Sequence, residues 1–554
     1  MAFSSRVVLP FSVAVVAVFA VCLVLGGQVQ GFIPTVPQSV TPPNPGPGRP
    51  ISPAFWGTTL ESSNSLGPFV SDIGGETGVT YARFPSGIVG EATNLTANLI
   101  YANATGVPFP SPIPANLTTP EFVDACRAIH CHAIIELPME IDSPSTAAYE
   151  VAYLERTLAF FPAYWELGNE PAGWQCYGLP WAEWNSSSTC GTLLGPRTSP
   201  SEFAHEVKDY IAAIRTVDPS TPISCLGGSG TQSDDAGWIT PILQVNGMNC
   251  QAISIHVRPA SHYTGLPTLA DFMSFLGDDG SNLPARLQTA QSAVAAGCSS
   301  CSTQILVTEL GSATPGSSYG GCGLAELCGL GAWADVVFEA AQVSEGLNSG
   351  AYNLDYFSWH TGGGAALWNG AETTPLFTLY SSIFRFLQPM VYSSSLNGTE
   401  GVYGTASGSP NGTAFLLVNT QVATEEHVNV AASGFPTSPD ATWHRWVEGE
   451  SAPAVGSVND ESGVVTLPPL SVSVVVTNGS VTCPAAGCGL AGAGGGGPTL
   501  TPASITVTMF TLAGVLAATG VAIVVILPGP MRLVCLPFLG LAACFVLSVP
   551  ALIG

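Results

Sequence analysis

From about residue 51 the chain alternates short runs of β-branched and aromatic residues with stretches whose apolar positions recur every three to four residues. A period of two marks a strand and a period near 3.6 marks a helix packed on one face. Strands alternating with helices predict βα units on a parallel sheet. Eight strands are read this way: Phe55–Leu60, Val79–Phe84, Ala133–Leu137, Tyr164–Asn169, Ile223–Gly227, Ala252–Val257, Ile305–Glu309 and Tyr352–Trp359. Val151, Leu154, Leu158 and Phe161 form a helical stripe before the fourth strand. Phe203, Val207, Tyr210, Ile211, Ile214 and Val217 form one after it. Pro375 lies near the start of a last helix reaching about Leu387. Eight such units closing on themselves predict an α/β fold, a (β/α)8 TIM barrel over residues 51–390. From 391 to 482 the period shortens. Ala414–Val418, Glu426–Val430, Thr442–Val447 and Ser471–Val476 alternate between Gly, Pro, Asn and Asp turns, which predicts a C-terminal all-β sandwich. The Pro-rich stretch 32–50 reads as a linker or as the first strand of that accessory sheet, and no internal repeat is visible.

Both ends are apolar. Arg6 precedes an almost unbroken apolar run from Val7 to Leu25 and then small residues, so 1–31 reads as a signal peptide or a signal anchor. A Gly/Ala-rich linker, 483–504, leads into apolar segments at 505–527 and 533–553, separated by Pro528-Gly529-Pro530-Met531-Arg532. Each is long enough to cross a hydrocarbon core as a helix. They read either as a transmembrane hairpin or as a lipid-anchor signal, and both readings tether the protein to a membrane. The expected location is the secretory pathway, then the extracellular space or cell surface.

The cysteines fit that setting. Cys22, Cys535 and Cys544 sit in the apolar ends, and the remaining twelve of the 15 are Cys126, Cys131, Cys176, Cys190, Cys225, Cys250, Cys298, Cys301, Cys322, Cys328, Cys483 and Cys488. An even number in a secretory context predicts disulfides, several between near neighbours. A metal on Cys126, His130, Cys131 and His132 fits less well, because adjacent ligands do not wrap one ion. Glycosylation acceptors stand at Asn94, Asn103, Asn116, Asn185, Asn397, Asn411 and Asn478. The net charge of −25, with Lys208 the only lysine, excludes nucleic acid as a partner and disfavours densely sulfated polymers.

Barrel enzymes carry their chemistry at the C-terminal ends of the strands. The fourth strand ends Trp165-Glu166-Leu167-Gly168-Asn169-Glu170-Pro171 and the seventh ends Val307-Thr308-Glu309-Leu310-Gly311-Ser312. Two carboxylates are thus aimed at one pocket. A retaining glycosidase needs such a pair about 5–5.5 Å apart, one to protonate the leaving oxygen and one to attack the anomeric carbon. Either glutamate alone reads as a surface or salt-bridged acid; the pair, each after an apolar strand, reads as catalytic.

The fourth-strand sequence resembles the acid/base motif of the heparanase-like glycoside hydrolases, family 79, which includes heparanases and β-glucuronidases. Glu309 with Ser312, Ala313 and Ser318-Tyr319-Gly320-Gly321 is similar to that family's nucleophile segment and the Tyr-Gly-Gly loop behind it. The resemblance spans roughly residues 50–390, with a β-sandwich following as in that family. It implies Glu170 as proton donor, Glu309 as nucleophile and Asn169 on the sugar 2-hydroxyl. It also implies amides of Gly320 and Gly321, with Tyr319, around a uronate carboxylate. Glu61 would bind sugar hydroxyls, Arg83 would support the carboxylates, and His256 would line the site. Two positions depart from the pattern: Arg258 stands where the family carries a tyrosine against the nucleophile, and Thr361 to Ala366 offers no tyrosine after the eighth strand.

These readings together predict a retaining β-glycosidase, foremost a β-glucuronidase acting on uronate-bearing cell-wall or matrix glycans, with no cofactor and no metal. The alternatives are another activity of the same barrel clan, such as a β-glucosidase, β-xylosidase or glucuronoxylanase, and a non-catalytic glycan-binding surface protein.

Overall fold

A computed structural model describes residues 48–62, 77–102, 108–140, 142–172, 199–228, 235–259, 268–277, 282–312, 333–357, 367–369, 372–399, 401–409, 412–430, 440–448, 450, 452–458, 463–477, 532–538 and 541–547. The chain divides into two units, Met1–Leu490 and Ala491–Gly554.

In the first unit eight parallel strands close into a barrel. They are β1 (Trp56–Thr59), β2 (Tyr81–Phe84), β3 (His132–Leu137), β4 (Tyr164–Leu167), β5 (Ile223–Gly227), β6 (Ala252–Val257), β7 (Gln304–Leu310) and β8 (Asn353–Tyr356). Each expected strand is present at its expected place. Side chains alternate across the sheet. Ala82 and Phe84, Ile135 and Leu137, and Trp165 and Leu167 face the surrounding helices, within one large apolar core. On the inner face Tyr81, Ile134, Ala252 and Leu306 plug one end. Further along the same strands stand Arg83, Glu136, Glu166 and Asp355, all fully buried. An apolar floor beneath a charged layer is what a period of two yields when strands start apolar and end polar.

The helices follow their caps. Ser199 and Glu202 form a reciprocal capping box at the start of Pro200–Ile214, whose Phe203, Val207, Tyr210, Ile211 and Ile214 are buried as the stripe predicts. The stripe before β4 needs correction. The helix Pro144–Ala152 widens into a π-helical turn at Tyr153–Thr157, and Ala159 takes a left-handed backbone. The extra residue in that turn shifts the helical register, so Phe160 packs inward and Phe161 is 69% exposed.

The accessory domain is a seven-stranded antiparallel sheet. Its members are β9 (Met390–Thr399), β10 (Val402–Ser409), β11 (Gly412–Asn419), β13 (Thr442–Trp446), β14 (Ala454–Ser457), β16 (Ser471–Thr477) and the short strand Gly48–Pro50, which pairs with β9. The end of the Pro-rich stretch is therefore an accessory strand. A two-stranded sheet, β12 (Glu426–Asn429) with β15 (Val464–Leu467), covers one face over Val402, Phe415, Leu417, Val428, Val465 and Val475. The alternate residues Ala414, Leu416, Val418, Val472 and Val474 join the barrel's core. The sheet is thereby fixed to the helix Trp333–Ser349, with Asn348 Nδ2 donating to Gly404 O (2.9 Å) and Trp333 Nε1 to Leu470 O (2.6 Å).

Disulfides join Cys126–Cys131, Cys225–Cys250 and Cys298–Cys301, so the first of these pairs is a bridge and not part of a metal site. Cys176, Cys190, Cys322, Cys328, Cys483 and Cys488 lie outside the described residues. In the second unit Arg532–Phe538 and Leu541–Leu547 pair as an antiparallel hairpin, where a helix over 533–553 was expected. Pro537 and Gly540 both weaken one continuous helix over this stretch. The 505–527 segment and residues 1–31 lie outside the described residues. Among those described, no helix is long and apolar enough to cross a membrane.

Candidate active site

The site forms where β2, β4, β6 and β7 end. After Leu167 the chain makes a tight turn with Gly168 at φ +71° and Glu170 at φ +45°. The Gly168 N–H donates to Leu137 O (3.1 Å) and the Glu170 N–H to Gly227 O (2.9 Å). A Cβ at Gly227 would fall 1.8 Å from Gly168 O, so β5 has to end in glycine for this turn to cross it. A glutamate held in left-handed backbone costs on the order of 1 kcal/mol and persists only where its surroundings fix it.

On β7 a bulge sets the register. Ile255 pairs with Val307 but His256 pairs with Glu309, leaving Thr308 as the extra residue. The bulge re-aims Glu309 toward His256 and the mouth of the barrel. His256 Nδ1 lies 2.8 Å from Glu170 Oε1 and 3.3 Å from Glu309 Oε2. One atom from each of Glu170, His256 and Glu309 lies within 4.8 Å of the others. The two carboxylates therefore sit nearer the roughly 5–5.5 Å of a retaining pair than the roughly 6.5–9.5 Å of an inverting one.

Two arginines hold Glu309. Arg83 Nη1 lies 2.7 Å from its Oε1 and Arg258 Nη2 bonds its Oε2. Arg83 also bonds Glu166 through Nε, reaches Glu136 Oε2 at 2.9 Å, and donates to Asn169 Oδ1 at 3.0 Å. Burial works against the Arg83 charge, but Glu166, Glu136 and Glu309 outweigh it and hold the guanidinium protonated more firmly than usual. Burial raises Glu136 and Asp355 well above the ordinary carboxylate range. Arg258 also lies over Phe357, its Cζ 4.2 Å from the ring centroid.

The spacing of Glu170, His256 and Glu309 is within reach of a single cation. Both Glu309 oxygens already accept from guanidinium groups, and a further positive centre beside two arginines is electrostatically unfavourable.

Of the residues singled out from the sequence, Glu170, Glu309, Asn169, Arg83 and His256 are brought together. Glu61 follows β1 on the same rim, beside Gly87 and Phe357. Tyr319, Gly320 and Gly321 lie outside the described residues. Sequence reasoning passed over four charged groups around the site. Glu136 and Glu166 face each other on β3 and β4 with Arg83 against both. Arg286 pairs with Asp235 through Nε and Nη2, each at 2.9 Å, and donates to His256 O at 3.0 Å, fixing the end of β6. The signal available was a Glu at the same inward position of consecutive strands.

Several buried acids make stability pH-dependent. Burial pushes Asp142 up to about 6, Glu206 to about 7 and Glu345 to about 8. Unfolded, these groups release their protons near pH 4, so between there and pH 8 the folded state holds more protons. Their contribution is full below about pH 4 and is lost as pH rises through 6 to 8. The thermal midpoint is expected to fall by several degrees between pH 5 and pH 8.5 in calorimetric scans. A midpoint that rises over that interval contradicts this.

No known family profile matches the chain, and no curated protein resembles it in sequence. Solved structures do resemble it in fold. A family 51 α-L-arabinofuranosidase from Bifidobacterium longum is 15% identical with a TM-score of 0.60, covering 80% of this chain and 100% of its own. An α-L-arabinofuranosidase from Thermotoga maritima, solved with arabinose, is 16% identical at a TM-score of 0.55, covering 79% and 99%. A family 44 xyloglucanase from Paenibacillus polymyxa is 13% identical at 0.52, covering 78% and 97%. At such identities the likeness is one of fold: a barrel with an accessory β-domain.

Proposed function

We propose that the chain is a retaining glycoside hydrolase with Glu309 as nucleophile and Glu170 as acid/base. The observation that carries this is the pair itself: two glutamates from β4 and β7, within 4.8 Å across His256 at the C-terminal mouth of the barrel. Glu309 is 2% exposed and fixed by two guanidinium groups, while the Glu170 side chain is 23% exposed and open toward a leaving group. In the first step a Glu309 oxygen bonds the anomeric carbon as Glu170 protonates the departing oxygen. In the second, water attacks the glycosyl ester with Glu170 taking its proton, releasing the sugar with its original configuration.

For the sugar, the reading is a β-glucuronide. An anionic substituent entering a buried pocket needs charged or amide donors. Arg258, on Glu309 and beside Phe357, is a cation at the site, and the family 79 resemblance adds the amides of Gly320 and Gly321. The second reading is an α-L-arabinofuranoside, because structural neighbours in families that share this fold act on that sugar by name. The disulfides favour an oxidising compartment, in line with a secreted or surface-tethered protein acting on cell-wall or matrix glycans. A panel of 4-nitrophenyl glycosides separates the readings. The β-glucuronide is expected to give a kcat/KM at least about tenfold above the β-glucoside, β-xyloside and α-L-arabinofuranoside, the range one charge-assisted contact supplies. Faster cleavage of the arabinofuranoside transfers the function to the second reading.

A further inference from the structure

The acid/base turn is held from beneath by a carboxylate that plays no part in the reaction as written above. Glu91 closes the short helix Gly87–Glu91 and is fully buried. Its Oε1 accepts the main-chain N–H of Asn169, and its Oε2 accepts the N–H of Glu140 at 3.0 Å. One carboxylate thus joins the loop after β3 to the loop after β4. The platform under it is tight: a Cβ at Gly90 would lie 2.4 Å from Glu136 Oε1, so the helix rests directly on the charged layer.

We propose that Glu91 is the positioning residue of the proton donor, fixing the Asn169–Glu170 turn so that the Glu170 carboxyl meets the leaving oxygen. This rests on Glu170 being the acid/base. The turn has two left-handed residues, Gly168 and Glu170, and relaxes unless it is tied. Among its ties are the Gly168 N–H on Leu137 O, the Glu170 N–H on Gly227 O, the Asn169 side chain on Arg83, and the Asn169 N–H on Glu91. The last acts on the residue next to the donor. Glutamine at position 91 keeps the shape but offers one acceptor oxygen to two N–H donors and turns an NH2 toward the other.

The test is a leaving-group series read in kcat/KM, which reports the step that Glu170 assists. The probes are 2,4-dinitrophenyl, 4-nitrophenyl and phenyl β-glucuronide, or the same aglycones on the sugar the panel prefers. Dinitrophenolate departs without a proton, whereas phenolate needs one. Glu91→Gln is expected to cut the phenyl rate on the order of 10–100-fold and to leave the dinitrophenyl rate within about threefold, since acid catalysis is worth about 10²–10⁴. Glu170→Gln run alongside supplies the same slope at larger amplitude. An equal loss on all three aglycones, or none, with the slope present in Glu170→Gln, overturns the role of Glu91 alone. A Glu170→Gln variant without the slope overturns the acid/base assignment beneath it. Should Glu91→Gln not fold, hydrogen exchange on the wild-type chain decides: slow exchange at the Asn169 and Glu140 amides supports the clamp, and fast exchange overturns it.

Discussion

Glu309→Gln is expected to lower kcat/KM by roughly 10⁴-fold or more while the protein stays folded. The amide has the shape of the carboxylate but lacks the anionic oxygen that must bond the anomeric carbon. The site around it is made for that anion: Arg83 stands on one oxygen and Arg258 on the other. Glutamine leaves one guanidinium facing an NH2, so a modest loss of stability accompanies the loss of rate. Steady-state kinetics with a 4-nitrophenyl glycoside, alongside thermal unfolding, measures both. A folded variant with undiminished turnover removes Glu309 from the nucleophile's place.

Arg83→Met has the largest expected effect on the fold. Arg83 is fully buried and contacts Glu136, Glu166 and Glu309, each itself buried. Removing its charge leaves these carboxylates around a thioether, and breaking a buried ion pair from one side costs roughly 3–5 kcal/mol. Lysine at this position restores the charge but not the planar fork that meets several acceptors at once, so Arg83→Lys is expected to recover only part of the loss. Denaturant unfolding at pH 7 is the measurement. Stability within about 1 kcal/mol of the wild type contradicts a role for Arg83 as the charge that holds the barrel's polar layer together.

The barrel was legible because its strands are apolar on both faces near their starts, so each shows as a short run between helical stretches. Glu170 and Glu309 were legible because each closes such a run. What escaped lay in contacts between residues distant in sequence. Glu91 meets Asn169 78 residues away and Glu140 49 residues away, and nothing local in Gly87–Glu91 marks it. The antiparallel sheet of Thr93–Asn94, Leu99–Ala102 and Pro108–Pro114 was missed because its prolines imitate a linker, although proline is tolerated on edge strands. Phe161 was misplaced by a π-helical turn, a change of register that a fixed period of 3.6 does not contain. Arg258 was noticed as a departure from a motif, and the structure shows where it goes: onto Glu309.

The most direct test of the account is to trap the intermediate. A 2-deoxy-2-fluoro glycosyl fluoride slows release of the covalent sugar more than its formation, so a retaining enzyme accumulates the ester. Incubation of the sugar selected by the panel in that form, proteolysis and peptide mass spectrometry should place one added glycosyl group on the peptide carrying Thr308-Glu309-Leu310, with time-dependent loss of activity. An adduct on any other carboxylate, or no adduct together with a product of inverted configuration, contradicts it.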